Sequence, residues 1–286
     1  MSFLYRLLRL LGHQGWVRFG IRSRIIKFFI NPERRVNFKF KVDYFGAIYP
    51  GSLDNLVDYN VYFFGALEKG MLFLLKDLAQ KKDDTIFLDI GANVGTHSLF
   101  MSRFCKTVHA FEPYPVVADL LEEKLKINNI HNVFLHRVGL GDKNETLDFM
   151  IPPRSNLGMG RFFKNTTKTG CPQEKRSLAN ADEYIAGLNL ESIDIIKIDV
   201  EDFEKYLLLG LQGTLKKYRP TVIMEFTKET QDKIKDKNEF LSLLPGYKVS
   251  EVIWDRSVLA FFNNERYRII DFEFFGGFKI LLCVPL

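Results

Sequence analysis

The sequence predicts an α/β fold built on a mostly parallel, doubly wound sheet. From residue 85 onward, short runs rich in β-branched and aromatic residues alternate with helical stretches. Two of these runs, at 86–88 and 195–198, are almost continuously apolar, which is typical of parallel strands covered on both faces. A glycine-rich turn at 91–95 follows the first run, and ligands bind beyond the carboxyl ends of such strands.

The N-terminal part mixes helical and strand-like patterns. Residues 2–11 place Leu4, Leu7, Leu8 and Leu11 on one helical stripe. The next elements are expected in this order: a second basic and apolar stretch at 16–30, a strand at 38–42, turns at 44–58, and a helix at 61–80 that bends near Gly65 and Gly70. We therefore interpret residues 1–82 as an N-terminal extension and lead-in to a domain formed by residues 83–286.

The regular part of the chain gives one element after another. Strands are expected at 85–90, 107–111, 133–140, 193–200 and 221–226, helices at 96–104, 116–128, 203–217 and 229–244, and late strands at 247–254, 258–262 and 278–284. Residues 153–177 are rich in Pro, Gly, Ser, Asn and Thr, which predicts a mobile loop over the site.

Positive charge is concentrated at the N-terminus. Residues 1–41 hold ten Lys and Arg against one acid, a net charge of +9, so the total of +5 leaves −4 for the remainder. Charge therefore does not suggest a nucleic-acid partner for the body of the protein. The three cysteines match no zinc or disulfide spacing, which favours a reducing, cytoplasmic compartment.

Residues 1–30 have two open interpretations. Their arginines interrupt any apolar run long enough to span a membrane or to form the core of a signal peptide. A pair of helices lying on a membrane would look like this, with Arg facing anionic headgroups at the inner face. A helix docked on its own domain or on a partner would look the same.

The glycine-rich turn is the first candidate site. Asp89 ends the first strand of the regular part, and the chain turns through Gly91, Asn93 and Gly95 into a helix. A dinucleotide-binding turn has the pattern G-x-G-x-x-G, in which the second glycine admits a pyrophosphate. Asn93 occupies that position, which weakens a dinucleotide interpretation. S-adenosylmethionine has no phosphate, and its sulfonium and ribose suit a loop with acids nearby.

Two further acids follow strands of the predicted sheet. Glu112 ends the second strand, where a carboxylate can accept hydrogen bonds from both ribose hydroxyls. Asp142 follows the third strand and either meets the adenine amino group or caps a turn. His97 follows the glycine-rich turn; a packed histidine is favoured over a catalytic base.

The fourth and fifth strands end in more carboxylates. Asp199 and Glu201 are predicted to be site residues, because a carboxylate can deprotonate a hydroxyl directly or through a metal. Asp202 is interpreted as a structural charge in the first turn of the next helix. Glu225 ends the fifth strand and is expected on the same rim. The residues give no set of metal ligands.

Five segments in this order resemble the FkbM family of methyltransferases: FLDIGANVGTHSL, VHAFEPYP, VGLGD, IIKIDVEDFE and PTVIMEF. They cover about residues 85–227. The resemblance implies a class I methyltransferase fold, S-adenosylmethionine as the methyl donor, and O-methylation of a hydroxyl on a sugar or another secondary metabolite.

The resemblance also implies roles for particular residues. The residues that it implies to contact the cofactor are Asp89, Gly91, Asn93, Gly95 and Glu112. The residues that it implies to form the rim of the active site are Asp199, Glu201 and Glu225. The chain departs from the family at Asp202, where the family usually has glycine. A side chain there would narrow the site or alter the start of the helix.

The expected function is therefore methyl transfer from S-adenosylmethionine to a small-molecule or glycan hydroxyl. Two alternatives remain. One is a dinucleotide-dependent enzyme on a similar sheet. The other is a non-catalytic domain held at a membrane surface by residues 1–30. Neither the acceptor nor the oligomeric state is indicated by the sequence.

Overall fold

The computed structural model describes residues 2–15, 17–31, 37–164, 170–254, 267–274 and 276–286. The described helices are α1 Ser2–Gly12, α2 Phe19–Phe29, α3 Leu56–Phe64, α4 Lys69–Ala79, α5 Thr96–Met101, α6 Pro115–Ile127, α7 Ala181–Gly187, α8 Glu204–Gly210, α9 Gln212–Tyr218, α10 Lys228–Asp232 and α11 Lys237–Ser242. The described strands are β1 Lys39–Tyr44, β2 Ala47–Ser52, β3 Ile86–Ile90, β4 Thr107–Phe111, β5 Val133–His136, β6 Gly139–Gly141, β7 Glu145–Met150, β8 Arg161–Phe163, β9 Gln173–Asn180, β10 Ile195–Ile198, β11 Thr221–Phe226, β12 Tyr247–Trp254, β13 Tyr267–Asp271 and β14 Lys279–Pro285.

The main sheet has eight strands in the order β13-β12-β14-β11-β10-β3-β4-β5. The five strands from β5 to β11 are parallel to one another, whereas β14 is antiparallel to both β11 and β12. In chain order, the first strand of this sheet is β3, which lies in its middle. The chain then adds β4 and β5 on one side of β3, and β10 later pairs with the other side of β3. This order confirms the predicted class I methyltransferase fold, and its reversal lies between β3 and β10, where ligands bind in open α/β sheets.

Hydrophobic residues fill both faces of this sheet. Along β3, Phe87 faces a cluster shared with α1 to α5, whereas Leu88 faces a second cluster shared with α7, α8, α9 and α11. Successive side chains of a strand point to opposite faces, so a continuous apolar run is required where both faces are covered. The first cluster also reaches from Tyr5 to Leu282, so one core joins residues 1–82 to the sheet; the domain boundary itself stays a prediction.

The N-terminal helices dock on the rest of the chain. Tyr5 and Leu8 of α1 are buried, and the Tyr5 ring lies 4.7 Å from that of Phe38. Gly12 packs so closely on α3 that a Cβ atom would lie 2.0 Å from the Phe63 carbonyl oxygen. The docked-helix interpretation is therefore observed, and among the described helices none is long and apolar enough to cross a membrane.

Several predicted elements differ from the structure. Residues 44–58 were expected to be turns, but they contain β2 and the start of α3. The expected strand at 133–140 is two strands, β5 and β6, which belong to different sheets. The helices expected at 203–217 and 229–244 are each divided into two short helices. The strand expected at 258–262 lies outside the described residues.

The expected mobile loop at 153–177 is wrong in large part. It contains a short 3₁₀ helix at Leu157–Met159, the strand β8 and the beginning of β9. These strands form a four-stranded sheet in the order β6-β9-β7-β8. Composition predicted a loop because β8 and the start of β9 lack a strong apolar alternation. These residues form strands by pairing with β7.

Candidate active site

A cleft of about 660 Å³, including its open mouth, lies at the carboxyl ends of β3, β4 and β10. Its larger apolar lining residues, called the apolar wall, are the following: Phe111, Leu140, Phe149, Phe162 and Phe203. The glycine-rich turn and the acidic lining residues, called the polar wall, are the following: Gly91, Asn93, Glu112, Asp199 and Glu201. Five of the nine predicted site residues therefore line one cleft.

The glycine-rich turn is shaped by backbone that favours glycine. Gly91 has a φ of +82°, and a Cβ atom there would lie 1.7 Å from the Asp199 carbonyl oxygen. Only glycine fits such a position without moving β10. Asn93 and Gly95 also have positive φ, at +51° and +85°. Gly95 precedes α5 and packs on Leu121, so its part is to bring the turn and α6 together.

Glu112 closes the polar wall at the end of β4. Its Oε2 accepts a hydrogen bond from the Asn93 amide at 3.0 Å, and its Oε1 accepts one from the Tyr114 amide at 2.9 Å. Burial raises the pKa of this carboxyl to about 7, against the lowering effect of the two amides. Each carboxylate oxygen has a further lone pair for a ligand hydroxyl.

Lys197 is a buried cation beneath the polar wall. Its ammonium group lies 3.3 Å from Asp89 Oδ1 and 3.3 Å from Asp199 Oδ2, and donates to the Gly91 carbonyl oxygen at 3.1 Å. Burial opposes its charge, but the neighbouring carboxylates, Asp89 first, raise the pKa of Lys197 above its usual value. Lys197 therefore stays charged and ties the turn after β3 to the end of β10.

Asp89 lies in the interior. Its carboxylate is fully buried and accepts a hydrogen bond from the Ser98 hydroxyl at 2.6 Å, besides its ion pair with Lys197. The sequence placed Asp89 at the cofactor itself, whereas the structure places its side chain against these two partners. A direct cofactor contact by Asp89 stays a prediction.

Asp199 and Glu201 lie where β10 ends. Both line the cleft. Burial, together with the nearby Asp199 and Asp202, raises the pKa of the Glu201 carboxyl to about 8, so this group holds a proton readily at neutral pH. Glu201 and Asp202 also have positive φ, at +49° and +71°. The left-handed backbone at Asp202 explains why a glycine is usual there.

Asp202 connects the small sheet, through β8, to the residue that follows β11 of the main sheet. Its Oδ2 accepts a hydrogen bond from Arg161 of β8 at 2.6 Å, and its Oδ1 accepts one from the Thr227 hydroxyl at 3.0 Å. The side chain points away into these contacts and does not narrow the polar wall. Asp202 makes structural contacts, but it lies before Phe203, the N-cap residue of α8, and not in the first turn of that helix as predicted. Its partner Arg161 was not indicated by the sequence.

Asp142 stands beside the cleft at the end of β6. Its carboxylate forms an ion pair with Lys164, whose ammonium lies 4.2 Å above the Tyr206 ring. Of the residues that precede Asp142, Gly139 and Leu140 of β6 line the cleft. The structure thus gives Asp142 a partner on the chain, and its proposed contact with adenine stays a prediction.

Glu225 faces a residue that the sequence did not single out. At the end of β11 its carboxyl group hydrogen-bonds that of Glu68, which starts α4. Burial and the charge of Asp199 raise the pKa of both carboxyls. His97, on α5, lies on the same side, with its Nε2 at 3.8 Å from Glu68 Oε2. No motif marks Glu68, because only the fold brings α4 to this edge of the sheet.

Among the described residues, no group of three or more His, Cys, Asp or Glu side chains is arranged to hold a metal ion.

A model of the methyltransferase FkbM domain matches residues 89–249, which is more than half of the chain. The chain belongs to the FkbM methyltransferase family. The matched segment includes β3, β4 and β10 and hence the whole polar wall of the cleft. Glu68 lies before the segment that defines the family.

Two curated relatives are each similar to just under half of the chain. Methyltransferase 1 of Beauveria bassiana is 26% identical over 158 residues, covering 47% of this chain and 61% of the relative. The hexuronic acid methyltransferase AglP of Haloferax volcanii is 26% identical over 138 residues, covering 48% of this chain and 54% of the relative. The matches thus span little more than half the length of these relatives.

A solved structure of a methyltransferase FkbM from Methylobacillus flagellatus KT superposes on 78% of this chain and 52% of its own. The TM-score is 0.48 at 14% sequence identity.

Proposed function

We propose that this chain transfers a methyl group from S-adenosylmethionine to a hydroxyl of a sugar or another small molecule. The observation that carries the proposal is the pairing of Glu112 with the turn at Gly91 and Asn93. Glu112 presents two carboxylate oxygens to the cleft, each with a lone pair left for one of two adjacent ribose hydroxyls. Gly91 lets the backbone at Asp199 lie directly against this turn, which brings the ends of β3 and β10 together at the cleft.

The rest of the cleft fits the other parts of this cofactor. The apolar wall, with Phe149, Phe162 and Phe203, offers ring faces and edges to a flat adenine. The polar wall ends in Asp199 and Glu201, and the Asp199 carboxylate favours a sulfonium cation nearby. When bound, S-adenosylmethionine supplies an electrophilic methyl group, and the chain's own contribution is to hold donor and acceptor in line and to accept the acceptor's proton.

A sugar acceptor is supported by one relative. AglP is by its name a hexuronic acid methyltransferase. Carboxylates near the cleft mouth, such as Asp199 and Glu225, are suited to hydrogen bonds with hydroxyl groups.

Calorimetric titration distinguishes this proposal from dinucleotide binding. We expect the wild-type chain to bind S-adenosylhomocysteine at one site and to show no heat with NADH. The Glu112→Ala variant should bind S-adenosylhomocysteine about tenfold or more weakly, since two hydrogen bonds to a carboxylate are lost. Glu123→Gln, at an exposed acid of α6, is the matched control. Binding of NADH in place of S-adenosylhomocysteine would overturn the proposal.

We also propose that α1 and α2 contact an anionic membrane surface. Large apolar side chains stay exposed on both helices although one face of each is docked, namely Phe3, Leu4, Leu7, Leu10, Phe19, Ile21, Ile25, Phe28 and Phe29. Arg6, Arg18, Arg24 and Lys27 are exposed beside them. Apolar side chains flanked by cations match an acyl layer topped by anionic headgroups, which is the charge complementarity that selects this partner.

Vesicle co-sedimentation tests this contact. The chain should sediment with phosphatidylglycerol vesicles and much less with phosphatidylcholine vesicles, and salt should release it. The double variant Leu7→Ser/Phe28→Ser should stay in the supernatant, whereas Phe278→Ser, at an exposed apolar residue elsewhere, should sediment as the wild type does. Sedimentation that the double variant leaves unchanged would refute the contact.

A further inference from the structure

Three side chains, Glu68, His97 and Glu225, cluster beside the cleft and are called the pocket here; Glu68 lies outside the segment that the family model matches. Glu68, the N-cap residue of α4, and Glu225, at the end of β11, share a hydrogen bond between their carboxyl groups. Two carboxyls in such contact hold one proton between them, because two adjacent carboxylates would repel each other. Burial and the charge of Asp199 raise the pKa of both carboxyls, which favours the singly protonated pair.

His97 points into this pocket without a hydrogen-bond partner. The residue is 5% exposed, and its Nε2 has no partner among the described residues, although Glu68 Oε2 is 3.8 Å away. Burial lowers the pKa of His97 to about 4, so the ring is neutral at neutral pH. Buried polar atoms are nearly always hydrogen-bonded in folded proteins, so the His97 Nε2 is available to a water or to a ligand hydroxyl.

The pocket adjoins the proposed cofactor cleft through Asp199. Asp199 lines the cleft and is also the charged neighbour of Glu68, Glu225 and His97. Lys197 is the cation that all these carboxyls share, and it is already paired with Asp89 and Asp199. The pocket therefore carries net negative charge and lies next to the acid end of the polar wall.

We propose that Glu68, Glu225 and His97 form the acceptor site, and that it takes a neutral hydroxyl whose proton passes to the Glu68–Glu225 pair. This inference rests on the proposed function. The acceptor oxygen forms its bond to the methyl carbon while the carbon–sulfur bond breaks with its electron pair going to sulfur, and the hydroxyl proton moves to the ionised carboxylate of the pair. The free Nε2 of His97 orients the hydroxyl by one hydrogen bond. A carboxylate acceptor would meet like charge and is disfavoured.

Sinefungin reports on this pocket without any acceptor. This analogue carries a protonated amine at the position of the transferred methyl group, so its amine would face Glu68, whereas S-adenosylhomocysteine has no charge there. Calorimetry of wild-type protein should give sinefungin an affinity higher than that of S-adenosylhomocysteine by about tenfold or more, as expected for opposite charges a few ångströms apart.

Variants assign that preference to the pocket. Glu68→Gln/Glu225→Gln should lose the preference while keeping the affinity for S-adenosylhomocysteine. Glu225→Gln should lose only part of it, since Glu68 remains as the second carboxyl of the pair. Glu123→Gln is the surface control. If melting curves show that the double variant is unfolded, Glu68→Gln alone replaces it, and this single variant should lose part of the preference for sinefungin.

Each outcome decides the inference. A preference that the double variant keeps would overturn it, as would a wild-type protein that binds both ligands equally. Equal loss in Glu225→Gln and in the double variant would overturn the part assigned to Glu68 in the pair. Absence of binding of either ligand to the wild type would instead contradict the proposed function, and the inference would fall with it.

Discussion

Replacing Lys197 with Met would leave two carboxylates without their cation. Asp89 is fully buried, and Asp199 is three-quarters buried, each with an oxygen 3.3 Å from the Lys197 ammonium. Met has a similar volume, so the change removes charge and hydrogen bonding more than packing. Opposite unit charges at that distance attract by about 5 kcal/mol at an effective dielectric constant of about 20.

We expect Lys197→Met to lower the free energy of unfolding by ~3–5 kcal/mol, which is the usual cost of leaving a buried charge unpaired. Equilibrium unfolding in urea measures this value. The double variant Asp89→Asn/Lys197→Met should lose ~1–3 kcal/mol less than the sum of its two single changes, because Asn needs no cation and still accepts from Ser98. Lys205→Met, at a surface ion pair with Glu239, should cost under ~1 kcal/mol.

Two results would refute this reasoning. One is a loss in Lys197→Met no larger than that in Lys205→Met. The other is strict additivity of Asp89→Asn and Lys197→Met, which would mean that the two charges do not stabilise each other.

Three further predictions concern the cleft. Gly91→Ala should lower stability by at least ~2 kcal/mol and abolish S-adenosylhomocysteine binding, because its Cβ would overlap the Asp199 carbonyl oxygen; an unchanged melting temperature would contradict this. Because the pKa of Glu112 is about 7, its carboxylate protonates as pH falls and loses acceptor capacity; affinity for S-adenosylhomocysteine should drop about tenfold from pH 8 to pH 6, and Glu112→Gln should flatten this profile. Asp202→Gly should change stability by less than ~1 kcal/mol, since relief of a left-handed backbone offsets the lost pair with Arg161. Limited proteolysis at 157–164 should nevertheless become faster in that variant, and an unchanged cleavage rate would argue against the connecting role of Asp202.

The central sheet was predictable because its pattern is local. The apolar runs at β3 and β10 predict strands covered on both faces, and the glycines at 91 and 95 indicate the turn after β3. The carboxyl end of each parallel strand then has to lie at one edge of the sheet. Glu112 and Asp199 could therefore be placed near each other from their positions in the strand pattern alone.

The interior of the site was not predictable in the same way. Lys197 alternates with apolar neighbours in β10 and looks like an interruption of the strand; only its register opposite Asp89 shows that the two form a pair. The sequence likewise gave Asp89 a ligand role by its motif, although burial directs its carboxylate to Lys197 and Ser98.

The acceptor side depends on contacts between distant parts of the chain. Glu68 lies in the lead-in, and it reaches Glu225 because α4 begins with a left-handed residue that turns its side chain toward the sheet edge. The small sheet that contains Arg161 was also missed, since its strands are short and polar and form only by pairing with β7. Such placements follow from tertiary packing, which local patterns do not specify.

The most direct test of the account is a crystal structure of the chain with S-adenosylhomocysteine. The account predicts that the ribose hydroxyls bind the two Glu112 oxygens, that the adenine lies among Phe149, Phe162 and Phe203, and that the sulfur points toward Asp199. A ligand bound elsewhere, or bound in the cleft with its ribose away from Glu112, would contradict it.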